Sequence, residues 1–225
     1  MQTQKFLLAA VAIALLLSTN ITAQSPATGT INGHDYVDLG LSVKWATCNI
    51  GASSPSDYGD YFAWGEAETK SEYTKENSAT YGKDNFTFHD AAAEKWGGSW
   101  RMTTEAECQE LIDSCTWTWI TVDGNKGCKV TSKKNGNSIF LPAASGRVDT
   151  RVDTHIDPGF VIGSYWSSSP TYSGMSFIDD LNHCDESAYN LEFLSDSTHV
   201  GWRSDRIYVG WGTRRYGLTI RPVTE

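Results

Sequence analysis

The sequence predicts an α+β domain in which two short helices precede a mostly antiparallel, loop-rich β-sheet. Asp90 has the side chain and position of a helix N-cap, and Thr104 and Glu107 have the spacing of a capping box. Farther along, Asp123-Gly124 and Asn135-Gly136 are dipeptides typical of tight turns between alternating strands. These signals indicate that the helices come first and that a meander of strands follows them.

The elements around these signals can be placed along the chain. The first helix is expected over residues 91–96, ending at Gly97-Gly98, and the second over residues 104–114. Residues 51–83 and 145–159 are predicted to be loops. The second loop contains the tetrapeptide Arg-Val-Asp-Thr twice in succession, at residues 147–150 and 151–154, and this short repeat is called the tandem echo. Strands are expected at His34–Leu41, Val43–Ile50, Trp117–Val122, Cys128–Ser132, Ser138–Ala143, Gly163–Ser168, Ala188–Leu194 and Leu218–Val223.

Residues 1–23 have the pattern of a secretory signal peptide. A positive residue precedes Phe6–Leu17, an apolar run too short to span a bilayer, and cleavage is expected after Ala23. An N-terminal anchor that is never cut is the less favoured alternative. No later apolar run is long enough for a membrane helix. Residues 24–33 are expected to form a flexible leader and residues 34–225 a single exported domain, whether periplasmic, cell-surface or extracellular.

The composition narrows the classes of function. A net charge of -9 and a pI near 5.0 argue against general nucleic-acid binding, which requires a broadly basic face. Export permits disulfides, but an odd number of cysteines leaves at least one thiol unpaired. Most of them are expected to be buried apolar side chains, and their pairing stays open. The five cysteines are Cys48, Cys108, Cys115, Cys128 and Cys184.

The segment from His199 to Tyr216 concentrates arginine and aromatic side chains. It holds four of the eight arginines of this acidic chain, and Asp205 is its only acidic residue. Trp, Tyr and Arg dominate binding energy at interfaces, which favours a recognition surface for a carboxylated or sulfated glycan or for an acidic protein patch. The alternative is that these side chains fill a small core of their own loop. The predicted contact residues are Trp202, Arg203, Arg206, Tyr208, Trp211, Arg214, Arg215 and Tyr216.

Six sequence blocks, in order along the chain, carry a family resemblance. The blocks are Tyr36–Ala52, Asp60–Glu66, Trp96–Met102, Ile139–Ala144, Tyr165–Ser169 and Gly217–Val223. Together they resemble the Fibrobacter succinogenes major paralogous domain family, which is common in exported proteins of gut bacteria. The resemblance implies a C-type-lectin-like fold, related to formylglycine-generating-enzyme domains, whose first and last strands pair. It also implies ligand binding by surface residues near the C-terminus, which retroelements diversify in some proteins of this fold.

The blocks also suggest structural roles. Arg101 and Arg221 are expected to make salt bridges or to tie backbone carbonyls together. Thr103 stands where the family usually has proline and Cys108 where it usually has tryptophan, and residues 178–216 are the least family-like part. Core packing is expected for Trp45, Trp64, Trp96, Trp100, Trp117 and Trp166.

Metal binding and catalysis are less favoured. Asp149, Asp153 and Asp157 recur every four residues and residues 179–185 are acidic, but no EF-hand spacing is present. Calcium is therefore a secondary hypothesis, and no cofactor is expected. The five histidines stand in no motif, and no Gly-x-Ser-x-Gly elbow is present. Formylglycine-generating enzymes use two cysteines late in the chain, whereas Cys184 stands alone there, so that activity is not implied.

These observations predict an exported, non-catalytic, lectin-like or adhesin-type protein, one form of which would be a diversified variable protein. It would present its aromatic and arginine-rich C-terminal loop to a glycan or protein ligand at the cell surface. The alternative is a structural or assembly subunit of a cell-surface complex. An enzyme would need convergent titratable residues, and none are apparent in the sequence.

Overall fold

The structure, a computed structural model, describes residues 22–153, 161–171, 186–195 and 207–225. Within these ranges all pairs of named strands are antiparallel and two short helices are present, which confirms the predicted α+β, mostly antiparallel architecture. The helices are α1 (Ala91–Trp96) and α2 (Glu105–Ser114). The strands are β1 (Gly29–Ile31), β2 (His34–Val37), β3 (Lys44–Ala46), β4 (Cys115–Val122), β5 (Asn125–Ser132), β6 (Ser138–Pro142), β7 (Gly146–Val148), β8 (Arg151–Asp153), β9 (Ile162–Pro170), β10 (Ser187–Leu194), β11 (Ile207–Thr213) and β12 (Val223–Thr224).

The strands form four sheets in the described part of the chain. Their orders are β1-β2-β3-β12, β11-β10-β9, β4-β5-β6 and β7-β8. Helix α2 packs against the sheet of β9, β10 and β11. In the first sheet Val223 lies opposite Trp45. The last strand therefore joins the N-terminal strands, but its neighbour is β3, not the first strand β1.

Both predicted helices begin where the capping residues indicate, and α1 also ends at its predicted glycine. The Asp90 side chain accepts a hydrogen bond from the Ala93 amide at 3.0 Å, and α1 ends at Gly97, whose φ is 64°. At the start of α2, Thr104 Oγ1 accepts from the Glu107 amide at 3.3 Å, and the Glu107 carboxylate accepts from the Thr104 amide at 2.8 Å. Both bonds of the capping box are present, so backbone donors at the start of α2 are satisfied.

The predicted meander is present as β4, β5 and β6. Asp123 and Gly124 have φ values of 49° and 85°, and left-handed geometry at both positions is what a type I′ turn requires. Strand β5 begins at Asn125 rather than Cys128, because its ladder with β4 continues up to the turn. The local turn chemistry therefore sets the register of this sheet.

Two stretches predicted to lack regular structure contain strands. Residues 24–33, expected as a flexible leader, include β1, which pairs with β2. Residues 145–159, expected as a polar loop, include the β7–β8 hairpin. The two copies of the tandem echo pair with each other there, with Arg147 opposite Val152. Alternating charged and β-branched residues suit a β-hairpin, although their polarity resembles that of a loop.

The C-terminal region also differs from the prediction. Strand β11 pairs with β10 along its length, although no strand is predicted between Leu194 and Leu218. The expected strand Leu218–Val223 is regular only at its end, in β12. Before that, Leu218 makes an isolated bridge to Phe62, and Thr219 makes one to Tyr165. Glycines in β11 weaken the usual sequence signal of a strand, which explains the first difference.

Apolar side chains and thiols fill the interior as predicted. Trp45, Trp64, Trp96, Trp100 and Trp166 are buried, and Trp117 is partly buried against the core.

The described cysteines are free, and three of them are buried. Burial raises the pKa of Cys108 to about 12, of Cys115 to about 11 and of Cys128 to about 12. These three are apolar packing residues, which confirms the prediction for them. Cys48 is half-buried, and Cys184 lies outside the described residues.

Arg221 is 2% exposed and joins distant parts of the chain. Its Nη1 donates to the carbonyls of Ala46 at 3.0 Å and Thr47 at 2.8 Å. Its Nη2 donates to the Phe140 carbonyl at 3.0 Å, and its Nε donates to Asn49 Oδ1 at 2.8 Å. The prediction that this guanidinium ties carbonyls together is confirmed. Burial lowers the pKa of Arg221, because a cation there has neutral oxygens instead of water around it.

Conservative and apolar substitutions of Arg221 test this cross-link. Lysine keeps the charge but cannot reach several acceptors with a planar fork, and methionine removes all the donors. We expect R221K to lower the free energy of unfolding by about 2 kcal/mol and R221M by about 3 kcal/mol, because buried carbonyls lose their donors. Urea denaturation measures both changes.

The matched control is R101K. The Arg101 side chain is 31% exposed and pairs with Glu107 and Glu225. Partly exposed ion pairs contribute less than about 1 kcal/mol, so R101K should lose less than R221K. Equal losses in the two variants would contradict a special role for Arg221.

Candidate functional site

The eight predicted contact residues do not form one surface in the part of the chain that the structure describes. Trp202, Arg203 and Arg206 lie outside the described residues. The other five occupy four separate environments, two on β11 and two in the turn that follows it. Those five are Tyr208, Trp211, Arg214, Arg215 and Tyr216.

Trp211 is the most exposed large apolar side chain among the described residues. It is 60% exposed, and Tyr58, at 37%, is the other exposed large aromatic in those ranges. Trp211 lies in β11 opposite Tyr189 of β10, and its chain neighbours are Gly210 and Gly212. Side chains alternate along a strand, so the neighbours of Trp211 on the same face are Val209 and Thr213, and the indole ring is exposed beside them. The position of Trp211 is therefore suited to stacking against a ligand.

Tyr208 lies on the other face of β11, because side chains alternate along a strand. It lies opposite Glu192, and its hydroxyl donates to the Glu192 carboxylate. Asn190 Nδ2 donates to the same carboxylate at 2.8 Å, whereas the buried Asn190 Oδ1 has no hydrogen-bond partner. A Cβ at Gly210 would lie 3.0 Å from that oxygen, so the glycine makes room for this polar cluster. Tyr208 and Trp211 thus face different surroundings.

Arg214 is an interior residue, with 5% exposure. Its Nε donates to the Ser187 carbonyl at 3.0 Å, and its guanidinium lies 4.6 Å from the Trp64 ring centre and 5.3 Å from that of Phe86. Burial of a guanidinium group is costly unless other groups replace its contacts with water. Two aromatic faces and a carbonyl oxygen compensate Arg214 for the loss of water.

Arg215 and Tyr216 pack onto the loop that precedes α1. Arg215 Nη1 donates to the Tyr73 carbonyl at 3.3 Å and lies 3.6 Å from the Asp149 carboxylate. The Arg215 guanidinium also lies 4.9 Å from the Tyr216 ring centre. Tyr216 itself is half-buried against the core cluster that contains Trp64. These contacts agree with the alternative interpretation of the segment from His199 to Tyr216, in which its side chains pack within the protein itself.

Sequence reasoning missed Arg147 and Gly217 as parts of this region. The backbones of these two residues bridge each other, and Tyr73 bridges Asp149 in the same way. The Tyr73 ring lies so close to Gly217 that an added Cβ would be 2.7 Å from it. The Arg147 guanidinium lies 4.6 Å from the Tyr61 ring centre. Gly217 belongs to one of the blocks of the family resemblance, and Arg147 belongs to the tandem echo. Only the long-range backbone bridge shows that these two residues are adjacent.

The described residues contain no group of three or more His, Cys, Asp or Glu side chains that could hold a metal ion. Of the acidic residues considered for calcium, Asp149 is beside Arg215, while Asp157 and residues 179–185 lie outside the described residues. No helix in the described ranges is long and apolar enough to cross a membrane.

Comparisons with known proteins give no assignment for this chain. No protein-family model, no curated protein and no solved structure matches it.

Proposed function

We propose that this chain is an exported, non-catalytic binding protein whose principal ligand contact is Trp211. The observation that carries the proposal is the 60% exposure of Trp211, whereas five other tryptophans of the described residues are buried. Burying such a side chain against a ligand removes a large apolar area from water, and tryptophan is the residue type most enriched at binding hot spots. The exposed indole face suits the flat apolar face of a sugar ring or an apolar side chain of a protein ligand.

The positions of the other predicted contact residues reduce the number of side chains to which we assign ligand contact. Arg214 is interior, and Arg215 and Tyr216 are engaged with their own protein. We therefore assign the contact role first to Trp211. Tyr208 belongs to a polar cluster on the opposite face of the sheet, where it would contribute only to a second contact.

We also propose that the chain has a C-type-lectin-like fold and belongs to the family that it resembles. This fold would hold the binding surface in place. The fold and the family are supported by the two capped helices, the antiparallel sheets, and the return of β12 to the N-terminal strands. Burial of the block tryptophans and of Arg221 supports them further. A crystal structure in which the C-terminal strand does not pair beside β3 would contradict this proposal.

Export is the third part of the proposal, and it rests on the N-terminal pattern. Cleavage after Ala23 would give a mature chain that begins at Gln24. N-terminal sequencing of the protein from the periplasm, cell surface or medium should therefore read Gln-Ser-Pro-Ala. A protein that retains Met1 and fractionates with the cytoplasm would contradict export.

A structural or assembly subunit remains the second candidate, and one observation favours it. Strand β11 is an edge strand in the described part of the chain, and the sequence of β11 has no charged residue. Uncharged edges pair readily with other chains. Recovery of the exported protein in a stable complex of fixed stoichiometry would favour this candidate over ligand binding.

Substituting Trp211 tests the principal proposal. We expect W211A to reduce binding in glycan-array and pull-down assays by about thirtyfold, because a central stacking residue contributes about 2 kcal/mol. The thermal stability should change little, since the free energy of unfolding shifts by about 0.5 kcal/mol or less at exposed positions.

The matched control is Y58A, which removes the other exposed large aromatic of the described residues and should leave binding unchanged. Equal binding by W211A and the unsubstituted protein would contradict the proposal. So would a large loss of stability in W211A with no binding activity in the unsubstituted protein.

A further inference from the structure

Two arginines in the described region have guanidinium groups whose N–H donors are not all hydrogen-bonded. The Nε atoms of Arg147 and Arg215 are both buried and have no hydrogen-bond partner. Arg147 is half-buried over the Tyr61 ring, and no described carboxylate forms an ion pair with it. A partly desolvated cation without a counter-charge is costly, so the environment of Arg147 favours an anion from outside the protein.

The backbone brings these two arginines to one place. Arg147 bridges Gly217, Tyr73 bridges Asp149, and Arg215 lies two residues before Gly217. Asp149 follows directly on β7, the strand that contains Arg147. Arg215 reaches this end of β7, since it contacts both the Asp149 carboxylate and the Tyr73 carbonyl.

The aromatic residues beneath the arginines carry no compensating charge. Burial raises the pKa of Tyr61 and of Tyr73, and the nearby Arg147 only partly offsets this. Both phenols are therefore neutral at neutral pH. Their hydroxyls are also used inside the protein, since Tyr61 donates to the Ala144 carbonyl at 2.7 Å and Tyr73 donates to the Tyr61 carbonyl at 2.5 Å. The positive charge of Arg147 is thus not neutralised by the residues on which it rests.

We propose that Arg147 and Arg215 form a binding site for a carboxylate- or sulfate-bearing saccharide, with Tyr61 and Tyr73 as its aromatic floor. Planar guanidinium groups bind such oxyanions through paired, charge-assisted hydrogen bonds. The aromatic rings give the site its shape and hold Arg147 in position through a cation–π contact. This site does not depend on Trp211, and it persists if the proposed role of Trp211 is wrong.

Asp149 is the internal competitor of the ligand. Its carboxylate lies 3.6 Å from Arg215 and its side chain is 54% exposed, so it offsets part of the positive charge. An anionic ligand must share Arg215 with this carboxylate. Asp149 has a φ of 53°, a left-handed conformation that asparagine tolerates as well as aspartate does. D149N therefore removes the competing charge without straining the backbone.

Isothermal titration of the mature protein with three matched sugars tests the proposal. D-glucuronate carries a carboxylate, D-glucose 6-sulfate carries a sulfate, and D-glucose is neutral. We expect binding of one or both acidic sugars, which also tells which anion is preferred, and no binding of glucose. Affinity should fall as the ionic strength rises from about 0.01 M to about 0.15 M, because partly exposed charges are screened.

Three variants distinguish a specific binding site from nonspecific electrostatic attraction. R147Q should weaken the binding of the acidic sugar about tenfold, the loss expected for one charge-assisted pair. D149N should tighten it about threefold, because the competing carboxylate is gone. R151Q removes the same charge from the same hairpin, at the equivalent position of the tandem echo, and should change binding less than about twofold.

Thermal unfolding of each variant checks the fold. If R147Q unfolds, R147K takes its place, since lysine keeps the charge but loses the paired geometry, and it should still bind several-fold more weakly. Equal weakening by R147Q and R151Q would overturn the proposal. Binding of glucose as tight as that of glucuronate, no binding of either acidic sugar, or weaker binding by D149N would overturn it as well.

Discussion

The fold depends on the hydrogen bonds that the Arg221 guanidinium makes with backbone carbonyls. Arg221 holds two carbonyls at the end of β3 and a carbonyl of β6, so two sheets and the C-terminal segment are fixed at one point. Its bond to Asn49 extends the cross-link, because Asn49 in turn donates to the Tyr58 carbonyl at 2.8 Å. A planar cation with several donors can make all these contacts at once, which no neutral side chain could do.

The positions of the candidate binding residues follow from this anchored segment. Residues 217–219 bridge Arg147, Phe62 and Tyr165 in turn, and this ties the chain before Arg221 to three other parts of the protein. Arg214 is fixed between Ser187 and the Trp64 ring. Strand β11 precedes this segment directly, so Trp211 extends from a rigid base. A rigid base lowers the entropy that a ligand contact must overcome, which is why an exposed tryptophan here suits recognition.

Local chemistry was sufficient to predict much of the fold. The Asp90 cap, the capping box at Thr104 and the Asp123-Gly124 turn each involve residues within three positions of one another, and the structure contains all of them. The site was harder to predict, because its geometry depends on contacts between residues far apart in sequence. Arg214 is interior only because aromatic rings far away in the sequence cover it, and Arg147 comes near the Arg215 segment only because its backbone bridges Gly217. Residue composition identified the right types of side chain but could not assign them to the interior or the surface.

Native-state hydrogen exchange of the amides around Arg221 tests the central role of this cross-link most directly. The amides of Ala46, Ile50 and Val223 donate to Pro222, Ile220 and Arg101 carbonyls at 2.9, 3.1 and 2.9 Å. If Arg221 anchors the fold, these amides should exchange only through global unfolding, with an opening free energy equal to that from denaturation. Opening free energies lower than the global value by about 2 kcal/mol or more, with slower exchange elsewhere, would contradict the account.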